Sequence, residues 1–170
     1  ADRVEGNLLA AAQEIDKLAL LHAGQTLAVE TLEASVADDA RYDAFRLTDA
    51  AIGGDVARAL HIVAGLRAEG EELIPLLGWV LNQLRVLERL AAAGAAVEGA
   101  RRSERSGPAR EPRYRSALKA GDRAHWEHCL AQAGRIDRIA KGRAGGDAWR
   151  ELERLVAAIA RPRAAAQLLA

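Results

Sequence analysis

Along most of the chain apolar residues recur at steps of three or four, and glycine-bearing breaks cut the pattern into pieces. That spacing gathers apolar side chains on one face of an α-helix. Between Asp43 and Leu90 it predicts three helices. The first carries Phe45, Leu47 and Ile52 and stops at Gly53-Gly54, where a missing side chain permits the left-handed turn that commonly ends a helix. Asp55 suits the next N-cap. In the second helix Val56, Ala59, Leu60, Val63 and Leu66 form the stripe to be buried, Arg58, Arg67 and Glu69 fall elsewhere, and Gly70 ends it. In the third, Leu73, Leu76, Leu77, Val80, Leu84, Leu87 and Ala91 share one face. Glu71 and Glu72 precede it, where the helix dipole favours carboxylates, and Pro75 falls near the first turn, where a missing N–H costs little.

The flanks read in the same way. Val4, Leu8, Ala11, Ile15 and Leu18 predict an amphipathic helix over Arg3 to His22, ended by Gly24; Leu27 to Val36 predicts a shorter one. Asp38 to Tyr42, with two acids and no apolar stripe, is expected to be a linker, and the Asp38-Asp39 pair to be solvated chain rather than a metal site. Beyond Leu90 the pattern fades, and Ala100 to Arg113, rich in arginine with Pro108 and Pro112, is expected to be mobile. Helix is expected again near Tyr114 and Leu118 until Gly121. Asp122 then caps a helix with Trp126, Cys129, Leu130, Ala133, Ile136 and Ile139 or Ala140 inward. Gly145-Gly146-Asp147 repeats the break and cap before a last stripe of Trp149, Leu152, Leu155, Val156 and Ile159, which ends before Pro162.

Composition narrows the fold class to all-α: half of the 170 residues are apolar, much of that alanine, aromatics are 4%, and strand-favouring runs are missing. The 24 acidic and 24 basic side chains cancel, so any charge argument is local. The single cysteine, Cys129, excludes an intrachain disulfide and fits a reducing cytoplasm. No signal peptide and no apolar run of about 18 residues is present, so a cytoplasmic location is expected. Because the sequence lacks methionine, even at position one, we expect it to be a piece of a longer protein.

Several of these segments carry a family resemblance. Phe45, Asp49-Ala50, Gly53-Gly54, Arg58-Ala59-Leu60, Leu66-Arg67, Glu69-Gly70 and the leucine-rich helix after them resemble the collar domain of bacterial clamp-loader subunits, above all the delta subunits of DNA polymerase III. Ile136-Asp137-Arg138, Lys141-Gly142 and Trp149-x-x-Leu152-x-x-Leu155 resemble the final collar helices. Glu5-Gly6-Asn7-Leu8-Leu9-Ala10 and Gln13 to Leu18 are similar to the end of the small helical lid domain of this AAA+ relative. The resemblance implies residues 1–40 as the end of the lid and 41–170 as a helical collar. In ATP-hydrolysing members an arginine that senses the nucleotide phosphate stands where this chain has Leu9, and an aliphatic side chain cannot replace a guanidinium there. The resemblance thus implies a non-hydrolysing subunit of a DNA-directed DNA polymerase (nucleotidyltransferase) holoenzyme acting in DNA replication. Its partners would be the motor and delta-prime subunits, DNA in the assembled complex, and a sliding clamp bound and opened by an amino-terminal domain outside these residues.

The residues themselves offer little chemistry. There is no glycine-rich loop with Lys-Ser or Lys-Thr, no nucleophile elbow and no His-Glu-x-x-His, so neither catalysis nor a cofactor is expected. His125, His128 and Cys129 are soft ligands on one helix, but a zinc site needs a fourth position and an ordered outer shell. Cys129 and Trp126 are expected in the core, with the histidines at its rim. Arg101, Arg102, Arg105, Arg110, Arg113 and Arg115, continued by Lys119 and Arg123, are the one concentration of charge. Each can neutralise a phosphate, which makes a stand-alone DNA-binding module the alternative reading; the interspersed Glu104 and Glu111 and the scarcity of aromatics speak against it. Trp79 is either core or part of an apolar patch on which another subunit packs.

Overall fold

The computed structural model describes residues 29–93 and 111–169, together with Ala12, Ile15, Asp16, Ala19 and Leu20. All regular structure among them is helical. In chain order the helices are α1 (Val29–Ile52), α2 (Val56–Ala68), α3 (Leu73–Ala93), α4 (Glu111–Ala120), α5 (Arg123–Ala140) and α6 (Ala148–Ala160), followed by a 3-10 turn (Pro162–Ala164) and the short α7 (Ala165–Leu168). None of the described helices is long and apolar enough to cross a membrane.

The breaks lie where glycine and aspartate put them. Gly54 and Gly70 adopt φ of 82° and 77°, in the left-handed region, and so turn the chain out of α1 and α2. Each following helix start that has an aspartate uses it. Asp55 accepts from the N–H of Arg58 at 3.0 Å, Asp122 from that of His125 at 2.8 Å, and Asp147 from those of Trp149 and Arg150 at 2.9 and 3.2 Å. These bonds satisfy donors that the first helical turn leaves without an intrahelical partner.

The core closes around α6, which packs against α1, α2, α3 and α5, while α7 folds back on it. Leu152, Leu155, Val156 and Ala158 are fully buried, so α6 is covered on most of its circumference. Around it lie Leu47 of α1, Val63 of α2, Leu77, Leu84 and Leu87 of α3, and Trp126 and Ile136 of α5. Each large aliphatic side chain buried in this way contributes about 1.5–3 kcal/mol. The expected stripes of α3, α5 and α6 are therefore the core, with Ala91, Leu130, Ala140 and Trp149 partly buried at its edge.

Some expectations need correction. Asp38 to Tyr42 is no linker: α1 runs through it, so Asp38 and Asp39 sit in helix and position 40 lies inside a continuous element. Phe45, expected inward, is 42% exposed because Ala44, Leu47, Thr48 and Ala51 occupy the buried side of the turn. Ile62, which was not on the expected stripe of α2, is buried, while Val56 and Leu60 are only partly covered. Glu111 to Arg113, placed in the mobile stretch, begin α4. Ile15 is helical but exposed, contrary to its place on an inward stripe. The remaining residues of the Arg3–His22 helix, Leu9 and its neighbours, Leu27, and Ala100 to Arg110 lie outside the described residues.

Candidate interaction surface

Helix α4 separates the charged residues from the apolar ones by phase. Tyr114 and Ala117 point inward, and the Tyr114 hydroxyl donates to Oε1 of the buried Gln83 on α3, which fixes α4 to the bundle. On the opposite side Arg115 and Lys119 are exposed and line a shallow surface groove with Pro112 and Ser116. A second shallow depression continues from Lys119 past Gly121 and Asp122 to His125 and Pro162.

Two members of the basic group face acids of neighbouring helices. Arg113 forms an ion pair with Asp49 of α1. Arg123 binds Glu127 at 2.8 Å and lies 3.5 Å from Glu88 of α3. These guanidiniums hold α4 and α5 against the bundle, and a phosphate would have to compete with a carboxylate at each. Of the expected DNA-contact residues, Arg113 and Arg115 are thus located on α4, whereas Arg101, Arg102, Arg105 and Arg110 lie outside the described residues.

The His125–His128–Cys129 group resolves into a packing feature. Cys129 and Trp126 are fully buried. The Cys129 sulfur lies 3.6 Å from Nε2 of His125, whose ring meets that of Trp126 edge-on with centroids 4.5 Å apart. Burial pushes the Cys129 thiol up to about 12, so it stays protonated at neutral pH. Burial likewise holds the His125 imidazole below its ordinary value, partly opposed by Asp122 and assisted by His128. His128 itself is exposed.

Trp79 is partly buried and packs against the core from α3. Larger apolar side chains that are exposed among the described residues of the bundle are others: Val29, Tyr42 and Phe45 on α1 and Ile74 on α3. Arg46 lies over the Tyr42 ring at 5.7 Å from its centroid. The signal for these was helical phase. Tyr42 and Phe45 lie three apart on the flank of α1 away from Leu47, and Ile74 lies across the helix from Leu76 and Leu87.

No protein-family model matches the chain. Over 91 residues it is 40% identical to DNA polymerase III subunit delta of Escherichia coli (strain K12), a match that takes in 54% of this chain and 26% of that protein. The chain therefore spans about a quarter of the length of the curated relative it matches. Across roughly half of its residues it is related to a delta subunit.

Proposed function

We propose that the chain is the carboxy-terminal part of a clamp-loader delta subunit and works in DNA replication as an assembly block. The observation that carries this reading is the 40% identity to DNA polymerase III subunit delta, supported by an all-helical bundle whose glycine corners and aspartate caps set its shape. On this reading residues 1–40 complete an AAA+ lid and 41–170 form the collar. The work of the bundle is helix-to-helix packing against the motor and delta-prime subunits in the cytoplasm. It performs no step of catalysis, binds no cofactor, and leaves clamp binding and opening to a part of the protein outside these residues.

The DNA-binding alternative has less support, since Arg113 and Arg123 are engaged with Asp49, Glu88 and Glu127.

A pull-down tests the reading. The immobilised chain is offered purified full-length motor and delta-prime subunits without nucleotide. Retention is expected, and it should survive replacement of Arg101, Arg102, Arg105, Arg110, Arg113 and Arg115 by alanine. Partners that remain in the flow-through at micromolar concentration would overturn it.

A further inference from the structure

The corner between α4 and α5 is closed by three side-by-side contacts. Trp126, fully buried, donates through its indole N–H to the carbonyl oxygen of Gly121 at 3.2 Å. The His125 ring meets that indole edge-on with centroids 4.5 Å apart, and its Nε2 lies 3.6 Å from the Cys129 sulfur. The imidazole also fills the space beside the turn, since a Cβ on Gly121 would lie 2.6 Å from His125 Cδ2. The ring itself is half-buried, and it lines the shallow depression shared with Leu118, Lys119, Asp122 and Pro162.

We infer that the neutral His125 ring is a pH-sensitive latch on this corner, holding the Gly121–Trp126 contact closed and loosening it when the ring takes a proton from solvent. In the neutral ring one nitrogen is an acceptor, and Nε2 can accept from the thiol of Cys129, which stays protonated at neutral pH. The added proton makes both ring nitrogens donors. That bond is then lost, and a cation stands half-buried against a thiol that is a poor acceptor. Of the charged groups around the ring, Asp122 favours the cation, but its carboxylate already accepts from the backbone N–H of His125 at 2.8 Å. His128, one turn on, disfavours it. Lys119 enters the same depression from α4, and Arg161 and Arg163 flank Pro162 in the chain, so the other groups at the rim are cations. Burial is the largest influence and holds the imidazole below its ordinary value of 6.5. The native chain therefore prefers the neutral ring. The stability it contributes is present above about pH 6.5 and is lost as the pH falls through the lower folded value.

The test is an NMR titration of the whole chain from pH 8 to pH 5 that follows the His125 ring and the Trp126 indole N–H together. The His125 midpoint is expected below 6.5, and the Trp126 signal should move with the same midpoint. His125→Gln, which keeps a polar side chain but cannot titrate, should hold the Trp126 signal constant and lose less melting temperature than the parent between pH 7 and pH 5. His128→Gln should keep the response, with the His125 midpoint moved upward because a like charge is gone. A His125 midpoint at or above 6.5, a Trp126 signal that does not follow it, or a Trp126 response that survives in His125→Gln would overturn the latch. The parent titration decides by itself if His125→Gln does not fold. The latch belongs to the chain alone, so its failure would leave the assembly reading standing.

Discussion

The indole Nε1–H of Trp126 donates to the carbonyl oxygen of Gly121 at 3.2 Å, tying the buried ring at the start of α5 to the turn that ends α4. The two residues are in such close contact that a Cβ on Gly121 would lie 3.0 Å from Trp126 Cζ2 and 2.6 Å from His125 Cδ2. Gly121→Ala is therefore expected to lower stability by about 1–3 kcal/mol in urea unfolding, since a filled interior has to shift to admit the methyl group. Gly78→Ala, the same substitution where the space is open, should raise stability by about 0.5–1 kcal/mol. Equal effects at the two sites would contradict the packing described around Trp126.

Glu151 of α6 is 8% exposed, and one carboxylate oxygen accepts from Nε2 of the buried Gln132 on α5 at 2.6 Å. The other accepts from Arg154 at 3.2 Å. Replacing Glu151 by alanine leaves the Gln132 amide buried without that acceptor and should cost about 1–3 kcal/mol. Gln132→Leu combined with Glu151→Leu should cost less than the two single substitutions added together, a non-additivity that a double-mutant cycle reads directly.

Much of this was readable in the residues, and the failures have separate causes. Glycine and aspartate signals marked the corners because they act locally: Gly54 and Gly70 supply the left-handed turns, and Asp55, Asp122 and Asp147 the caps. Leu73, Leu77, Leu84, Leu152 and Leu155 announced the buried faces through their period. The supposed linker at Asp38 to Tyr42 failed because the loss of an apolar stripe was taken for the loss of a helix. No glycine or proline occurs between Val29 and Ile52, so nothing in that span breaks the helix. Gln83, Gln132 and Glu151 were missed as buried because each is satisfied by a partner distant in sequence or on another helix, Tyr114 for Gln83 and each other for the remaining two. Of the interaction surface, the arginine cluster was legible as charge; that Arg113 and Arg123 are engaged by Asp49, Glu88 and Glu127 is a property of the folded arrangement.

Cys129 gives a pH-dependent prediction at the alkaline end. Burial raises its folded value from 9.0 to about 12, so its neutral form is favoured in the native state. The associated stability is fully present below pH 9.0 and is lost as the pH rises towards about 12. The stability difference between the parent chain and Cys129→Ala should shrink across that window. At pH 8 an aromatic disulfide reagent should label Cys129 only as fast as the chain unfolds, and immediate labelling of the native chain would contradict its burial.

Asp147 acts at the acid end. The backbone N–H of Arg150, then the Arg67 guanidinium at 3.1 Å and the N–H of Trp149, hold its carboxyl below the ordinary aspartate value. Its contribution is present above the unfolded aspartate value of about 3.9 and is lost as the pH falls through the lower folded value. Asp147→Asn keeps an oxygen acceptor for the first turn of α6 but removes the charge. Its stability relative to the parent chain should therefore be most reduced at neutral pH and converge with it in acid, as followed by thermal melts from pH 7 downward.

The central claim, that this bundle is built to pack against other subunits, is tested most directly by sedimentation velocity of the chain mixed with full-length motor and delta-prime subunits at micromolar concentration and physiological salt. The account predicts one faster boundary containing both the chain and its partners, formed without nucleotide or DNA. Separate boundaries, each at the sedimentation coefficient of the isolated component, would contradict it.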